Sequence, residues 1–109
     1  MTYDTALASR VRDLLGENPE ITEREMFGGI AFLLSGNMAV GVSRDELMVR
    51  IDPDDYDEAL AMTGVRAFDM TDRPMRGWIL VAPEITAEID DLGKWVEIGL
   101  DFAGTFPAK

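Results

Sequence analysis

The sequence feature that most constrains the fold is an apolar stretch over residues 26–42, interrupted by the pair Gly36-Asn37. A Gly-Asn pair between two apolar runs is typical of a tight β-hairpin, because both residues tolerate the positive φ that the turn demands. Gly28 and Gly29 precede the first run and allow the strand to bend or bulge where a side chain would clash. The stretch therefore predicts the centre of a small antiparallel sheet, with strands over residues 30–34 and 38–43.

The strand predicted over residues 38–43 has one face of large side chains and one face of small ones. The large side chains are Met38, Val40 and Val42, and the small residues are Ala39, Gly41 and Ser43. Small residues allow another element to approach closely, so we expect a helix against the second face.

Periodicity and turn residues predict the remaining elements around this hairpin. We expect a helix over residues 4–15, a polar edge strand over 21–27, a strand over 46–51, a helix from Asp52-Pro53 to Gly64, strands over 65–70 and 76–81, and a last helix over 86–103. The order is α-β-β-β-β-α-β-β-α, which indicates an α+β fold with a mainly antiparallel sheet of about six strands and flanking helices. The length of 109 residues is that of a single domain over residues 1–109.

The composition restricts the classes of partner. The net charge is −11, from 21 acidic and 10 basic residues, which repels phosphate and argues against direct nucleic-acid binding. The longest apolar runs, residues 30–34 and 78–82, are far shorter than the ~20 residues of a membrane span, and the first residues lack the apolar segment of a secretory signal. The chain has no cysteine, which permits a reducing compartment. We therefore expect a cytoplasmic protein that does not enter a membrane.

The residue types also restrict the chemistry. The chain has no histidine and no cysteine, which excludes Ser-His-Asp and Cys-His nucleophiles and nearly all zinc sites. The acids over residues 52–58 lack the spacing of an EF-hand and are better explained as a capped helix start. Glu23 and Glu25 share one face of a strand and could pair as acid and base, although an exposed sheet edge explains them more simply. We expect no catalytic residue, metal or cofactor, and predict that the chain is not an enzyme.

The segment over residues 73–78 is the strongest candidate for a contact surface. Arginine, methionine and tryptophan are enriched at protein interfaces, and the segment supplies Arg73, Met75, Arg76 and Trp78. Arg50 joins them if its strand lies nearby. In the alternative interpretation Trp78 fills the core, the arginines pair with some of the 21 acids, and the seven methionines are mostly core filler.

The order and spacing of several motifs resemble the N-terminal domain of the TfoX/Sxy family over nearly the whole chain. The motifs are Met26-Phe27-Gly28-Gly29, Phe32, Gly36-Asn37-Met38, Leu47-Met48-Val49-Arg50, Met75-Arg76-Gly77-Trp78, and a closing helix with Leu92 and Trp95. The resemblance implies a small α+β domain with an antiparallel sheet flanked by helices. Its named members are bacterial regulators of natural competence, thought to act with the cyclic-AMP receptor protein at promoters. At 109 residues, we expect a stand-alone copy of the domain without the second, C-terminal domain of the regulators.

These observations lead to two functional hypotheses. The first is a non-enzymatic protein-interaction module, related to the competence regulators as a regulatory or transcription co-regulator domain. Its partner is unidentified, and a homodimer through an exposed strand or helix face is included, since a sheet of this kind has edges to cover. The alternative is a small-molecule-binding protein or carboxylate-dependent enzyme with a cleft between the sheet and the C-terminal helix.

Overall fold

A computed structural model describes residues 3–26, 28–68 and 76–108 of the chain. Within these ranges the elements are α1 (Thr5–Leu15), β1 (Ile21–Met26), β2 (Gly29–Leu34), β3 (Asn37–Ser43), β4 (Glu46–Arg50), a 3₁₀ turn (Pro53–Asp55) leading into α2 (Tyr56–Leu60), β5 (Val65–Ala67), β6 (Trp78–Val81), α3 (Pro83–Thr86) and α4 (Ile89–Ala103). The α+β class and the predicted element order are confirmed, with one short additional helix, α3. None of the described helices has the length and hydropathy needed to cross a bilayer.

The strands form one antiparallel sheet in the order β1-β2-β3-β4-β6-β5. Strands β1 to β4 follow one another as a meander, as their short connections predict. Strand β6 pairs with β4, which places β5 at one edge of the sheet and β1 at the other. The polar sequence of β1 therefore fits its position at an edge, where one side of the backbone faces solvent.

The central hairpin is confirmed, but its turn lies one residue earlier than the Gly36-Asn37 pair predicts. Ser35 and Gly36 have φ of 50° and 86°, whereas Asn37 is the first residue of β3. Asn37 is buried, and its Nδ2 donates a 2.9 Å hydrogen bond to the carbonyl oxygen of Pro107. The side chain of Asn37 thus holds the C-terminal segment instead of forming the turn.

The two glycines ahead of the hairpin have separate roles. Gly28 has a φ of 73°, in the left-handed region that favours glycine. Gly29 already belongs to β2, and a Cβ at this position would collide with the carbonyl oxygen of Val42 on β3. Both observations agree with the prediction of a bend followed by a close approach.

A bulge in β3 overturns the predicted arrangement of its faces. Phe32 pairs with Val40 while Leu33 pairs with Met38, so one extra residue, Ala39, enters β3. The extra residue turns Met38 to the side opposite Val40, where it packs beside Met48 and Leu80. The prediction that Met38 shares a face with Val40 and Val42 is therefore wrong, because alternation along a strand reverses at a bulge.

The expectation that a helix packs against the small-residue face of β3 is also wrong. Helix α4 covers the other face, where Val40 lies, and the close approach is made by Gly99 of the helix. A Cβ at Gly99 would lie 2.5 Å from the Ala39 carbonyl oxygen and 2.6 Å from Val40 Cγ1. Gly41 instead leaves room for the ends of the Met38 and Met48 side chains.

The helices α1, α2 and α4 supply one main core against a single face of the sheet. Their buried contributions are Leu7, Ala8 and Val11 from α1, Tyr56 and Ala59 from α2, and Leu92, Trp95 and Val96 from α4. A second, smaller cluster of Met48, Phe68 and Leu80, with Met38 and Trp78 against it, lies on the opposite face. The described side chains therefore give the sheet two unequal apolar layers.

The C-terminal helical region is divided in two. Pro83 is at the first turn of α3, which ends after Thr86, and Glu88 is extended at φ −84° and ψ 129° before α4 begins. The single helix predicted over residues 86–103 is therefore α4 with a separate turn ahead of it. Proline fixes φ at a helical value and lacks a backbone N–H, so it suits the start of a helix and cannot continue a strand.

Candidate interaction surface

Arg50 lies directly opposite Trp78 in the sheet. The two residues pair between β4 and β6. The Arg50 Cζ atom lies 5.3 Å from the ring centroid of Trp78, 5.6 Å from that of Phe102 and 4.4 Å from that of Phe106. Burial lowers the pKa of the Arg50 guanidinium from its ordinary value, but an arginine stays charged in a protein. Arg50 is thus a half-buried cation held by three aromatic rings.

This aromatic arrangement connects the sheet to the end of the chain. Phe102 and Phe106 pack edge to face at 5.2 Å, and the Asn37 side chain binds the carbonyl of Pro107 nearby in sequence. Arg50 forms no ion pair with any residue in the described ranges. Its contacts with Phe102 and Phe106 therefore fasten the C-terminal segment to the sheet.

Arg76 contacts a different set of groups from Arg50. Its guanidinium lies 5.2 Å from the ring centroid of Tyr56 and forms two 3.3 Å bonds to the Asp57 carboxylate. Tyr56 belongs to the helix-side core, whereas Trp78 packs on the opposite apolar layer. Arg50 and Arg76 thus contact separate sets of groups, and Arg73 and Met75 lie outside the described residues.

A groove of about 250 Å³ lies between α2 and α4. Its lining consists of Ile51, Asp55, Glu58, Ala59, Met62, Trp95 and Ile98. Asp55 is the last residue of the 3₁₀ turn, Glu58 and Ala59 belong to α2, and Met62 follows the end of that helix. Met62 is 50% exposed and Ile98 is 37% exposed, while Ile51, Ala59 and Trp95 are buried. The groove therefore presents two exposed apolar side chains beside a buried apolar wall.

Sequence reasoning proposed a cleft between the sheet and the C-terminal helix, but it did not predict that α2 forms a wall of this groove or which residues line it. Met62 departs from the interpretation of the methionines as core filler, and Ile98 lies off the stripe of Leu92, Val96 and Gly99 by which α4 packs. The sequence signal that could have indicated an exposed apolar site is Ile98, an apolar residue outside the stripe by which α4 packs. Its significance depends on α2 lying opposite, which only the tertiary structure shows.

The carboxylates of β1 are engaged by separate partners. Glu23 accepts hydrogen bonds of 2.7 and 2.8 Å from Nε and Nη2 of Arg12. The hydrogen bond from Arg12 holds the pKa of Glu23 below its ordinary value and raises that of Arg12. Glu25 instead accepts a 3.5 Å hydrogen bond from the Tyr3 hydroxyl. These contacts favour the interpretation as an exposed edge, since Glu23 and Glu25 do not share a proton-transfer partner.

The acidic start of α2 is a helix cap. Asp52 Oδ1 accepts a 2.9 Å hydrogen bond from the Asp54 backbone N–H, and Pro53 takes the first position of the 3₁₀ turn. Acids in a first helical turn are also favoured by the helix dipole. In the described part of the chain no group of three or more acidic side chains is placed to hold a metal ion.

Comparison with protein families relates the chain to a known domain. The TfoX N-terminal domain family matches residues 13–103. No curated protein and no solved structure shows significant similarity to the chain. The matched region begins within α1 and extends to the last residue of α4, so it includes the whole sheet and both helices of the groove. The chain therefore belongs to the TfoX N-terminal domain family.

Proposed function

We propose that this domain is a non-enzymatic regulatory module of the cytoplasm that binds a protein partner through the α2–α4 groove. The observation that carries the proposal is the exposure of Met62 and Ile98 beside the buried side chains of Ile51 and Trp95. Clustered exposed apolar side chains in a concavity are typical of protein contact sites, whereas single ones are common on any surface. Methionine also adapts its shape to a partner.

The family is associated with competence regulation, which gives the proposal a biological direction. A charge of −11 opposes direct contact with DNA, so a co-regulator of this kind acts on a DNA-bound protein. In gel-shift assays the isolated domain should leave DNA unshifted until that protein is added. Tight binding of the domain alone to DNA would contradict this role.

Substitutions in the groove provide the direct test. Met62→Lys and Ile98→Lys should abolish retention of the partner in a pull-down, and a complex rebuilt from purified components should show the same loss. Ile89→Lys is the matched control, because Ile89 is 53% exposed on α4 and does not line the groove. Circular dichroism must first show that all three variants are folded. Equal partner binding by the parent and the groove variants would refute the proposal.

A second candidate surface is the segment with Arg73, Met75, Arg76 and Trp78, together with Arg50. Arg76 supports it, because its side chain is 55% exposed and its bonds to Asp57 are long. Folded Arg76→Glu and Trp78→Ala variants should then lose the partner. If both bind every recovered partner like the parent, this segment is not the contact surface.

The alternative function is binding of a small molecule, with or without carboxylate chemistry. It draws support from Asp55 and Glu58, which line the groove between Ile51 at the end of the sheet and α4. A screen of metals, nucleotides and metabolites should then show a rise in Tm that grows with ligand concentration. An Asp55→Asn/Glu58→Gln variant should remove that rise, and an unchanged response would exclude the groove as the binding site.

A further inference from the structure

The shape of the α2–α4 groove fits the side chains of a helix. Two helices form its walls, and its volume of about 250 Å³ accommodates roughly one or two apolar side chains of benzene-like size. An amphipathic helix presents such side chains on one face at i, i+3 and i+4, and docks them into grooves of this kind. An added β-strand would instead pair with a sheet edge, and none of the residues that line the groove belongs to the edge strands β1 and β5.

The charged residues that line the groove are both acidic. Its lining contains the carboxylates of Asp55 and Glu58 and no lysine or arginine. Neither carboxylate forms an ion pair with a residue in the described ranges. Asp54 adds a further acid to the same segment, and Lys94, the single basic residue of α4, does not line the groove.

A second copy of the chain is an unfavourable partner for the α2–α4 groove. Each copy carries a net charge of −11, so two grooves facing one another would bring their acidic rims together. Like charges in opposition weaken association, whereas opposite charges speed encounter and fix register. Complementarity therefore favours a cationic partner over self-association.

Building on the proposed function, we infer that the α2–α4 groove binds a basic amphipathic helix of a partner protein. The apolar stripe of that helix packs against Met62, Ile98 and the buried wall of the groove. Its lysine or arginine side chains, placed along one border of the stripe, face Asp55 and Glu58. The inference identifies the chemistry of the partner segment, which the family assignment leaves open.

Designed peptides test the inference. The probe is a helical peptide of about 16 residues with leucines at i, i+3, i+4 and i+7 and lysines beside them. One control replaces the lysines with glutamates, and another has the same composition in an order without a stripe. Trp95 lines the groove and reports binding by fluorescence in a Trp78→Phe background, because the chain has two tryptophans. Titration calorimetry on the unmodified chain provides an independent affinity.

The lysine peptide should bind saturably, and more weakly as salt is added. Asp55→Asn/Glu58→Gln should weaken binding roughly 3- to 10-fold, the range expected for two exposed ion pairs. Met62→Lys or Ile98→Lys should weaken binding by more than about 10-fold, since each brings a charge into apolar contact. Ile89→Lys should change the affinity by less than about twofold.

Three results would overturn the inference: no saturable binding of the lysine peptide, equal binding of the glutamate peptide, or equal binding of the peptide without a stripe. If the partner's own binding segment is acidic or neutral and is still lost on Ile98→Lys, the inference fails while the proposed function stands. If the groove substitutions alter the binding of neither peptide nor partner, both fail.

Discussion

Replacing Gly99 with alanine should destabilise the domain, even though alanine is the better helix former. A Cβ at Gly99 would lie 2.5 Å from the Ala39 carbonyl oxygen and 2.6 Å from Val40 Cγ1, well inside van der Waals distance. The first neighbour is backbone at the bulge of β3, which cannot rotate away as a side chain can. The new methyl group therefore forces α4 away from the sheet or distorts the bulge.

Gly93 in the same helix is the matched control. A Cβ at Gly93 would meet only Leu14 Cδ2, at 3.9 Å, which is an ordinary contact. Gly93→Ala should then stabilise the domain by about 0.5–1 kcal/mol through helix propensity. Gly99→Ala has the same propensity gain, but overpacking costs about 1–3 kcal/mol. The difference between the two substitutions isolates the overpacking cost, which is about 1–3 kcal/mol.

Urea unfolding followed by far-ultraviolet circular dichroism measures this difference directly. The urea midpoint should move up for Gly93→Ala and down for Gly99→Ala, with unchanged slopes. For a chain of 109 residues, each kcal/mol corresponds to roughly 4 °C in Tm. If Gly99→Ala proves as stable as Gly93→Ala, the close approach of α4 to β3 is not the packing constraint described above.

Three further predictions test local interactions. Arg50→Met should lower the free energy of unfolding by about 0.5–2 kcal/mol, because it removes the cation from its aromatic rings. Hydrogen exchange of the Phe106 amide should also become faster. Unchanged exchange would contradict the conclusion that Arg50 fastens the C-terminal segment to the sheet. Glu23→Gln should lower the free energy of unfolding by no more than about 1 kcal/mol at pH 7. Because the pKa of Glu23 is lower in the folded state, its ion pair with Arg12 stabilises the fold above the unfolded pKa of about 4.3. This stabilisation disappears as pH falls through the pKa of Glu23 in the folded state. The parent and Glu23→Gln should therefore converge in stability as pH falls through the lowered folded-state pKa of Glu23, and a constant gap would exclude the ion pair as its cause. In thermal unfolding, Asp52→Ala should lower the free energy of unfolding by about 0.5–2 kcal/mol through loss of the helix cap. Asp54→Ala should lower it by less than about 0.5 kcal/mol. Equal losses would show that the cap made by Asp52 is not the source of the stability.

The candidate site was predictable only in part. The pairing of Arg50 with Trp78 depends on β4 lying beside β6, a condition that the sequence hypothesis stated and could not decide. The third aromatic contact, Phe106, follows α4 by several residues, where no periodic pattern assigns a position. The role of α2 in the α2–α4 groove was missed because the walls of the groove come from segments more than thirty residues apart.

The sequence by itself determined the features that depend on neighbouring residues. Helix α1 begins where Asp4 Oδ1 accepts hydrogen bonds from the backbone N–H groups of Ala6 and Leu7, and the 3₁₀ turn begins at Asp52-Pro53. The central hairpin, the element order and the α+β class likewise follow from local φ preferences and from periods of two and 3.6 residues.

Only the tertiary structure decided which faces meet. One extra residue in β3 places the Met38 side chain on the opposite face of the sheet. The absence of a Cβ at Gly99 allows α4 to pack closely against Val40. The side chain of Asn37 forms its bond with Pro107, seventy positions further along the chain. These outcomes depend on the distances between groups that are remote in sequence, and no periodicity within a single segment carries that information.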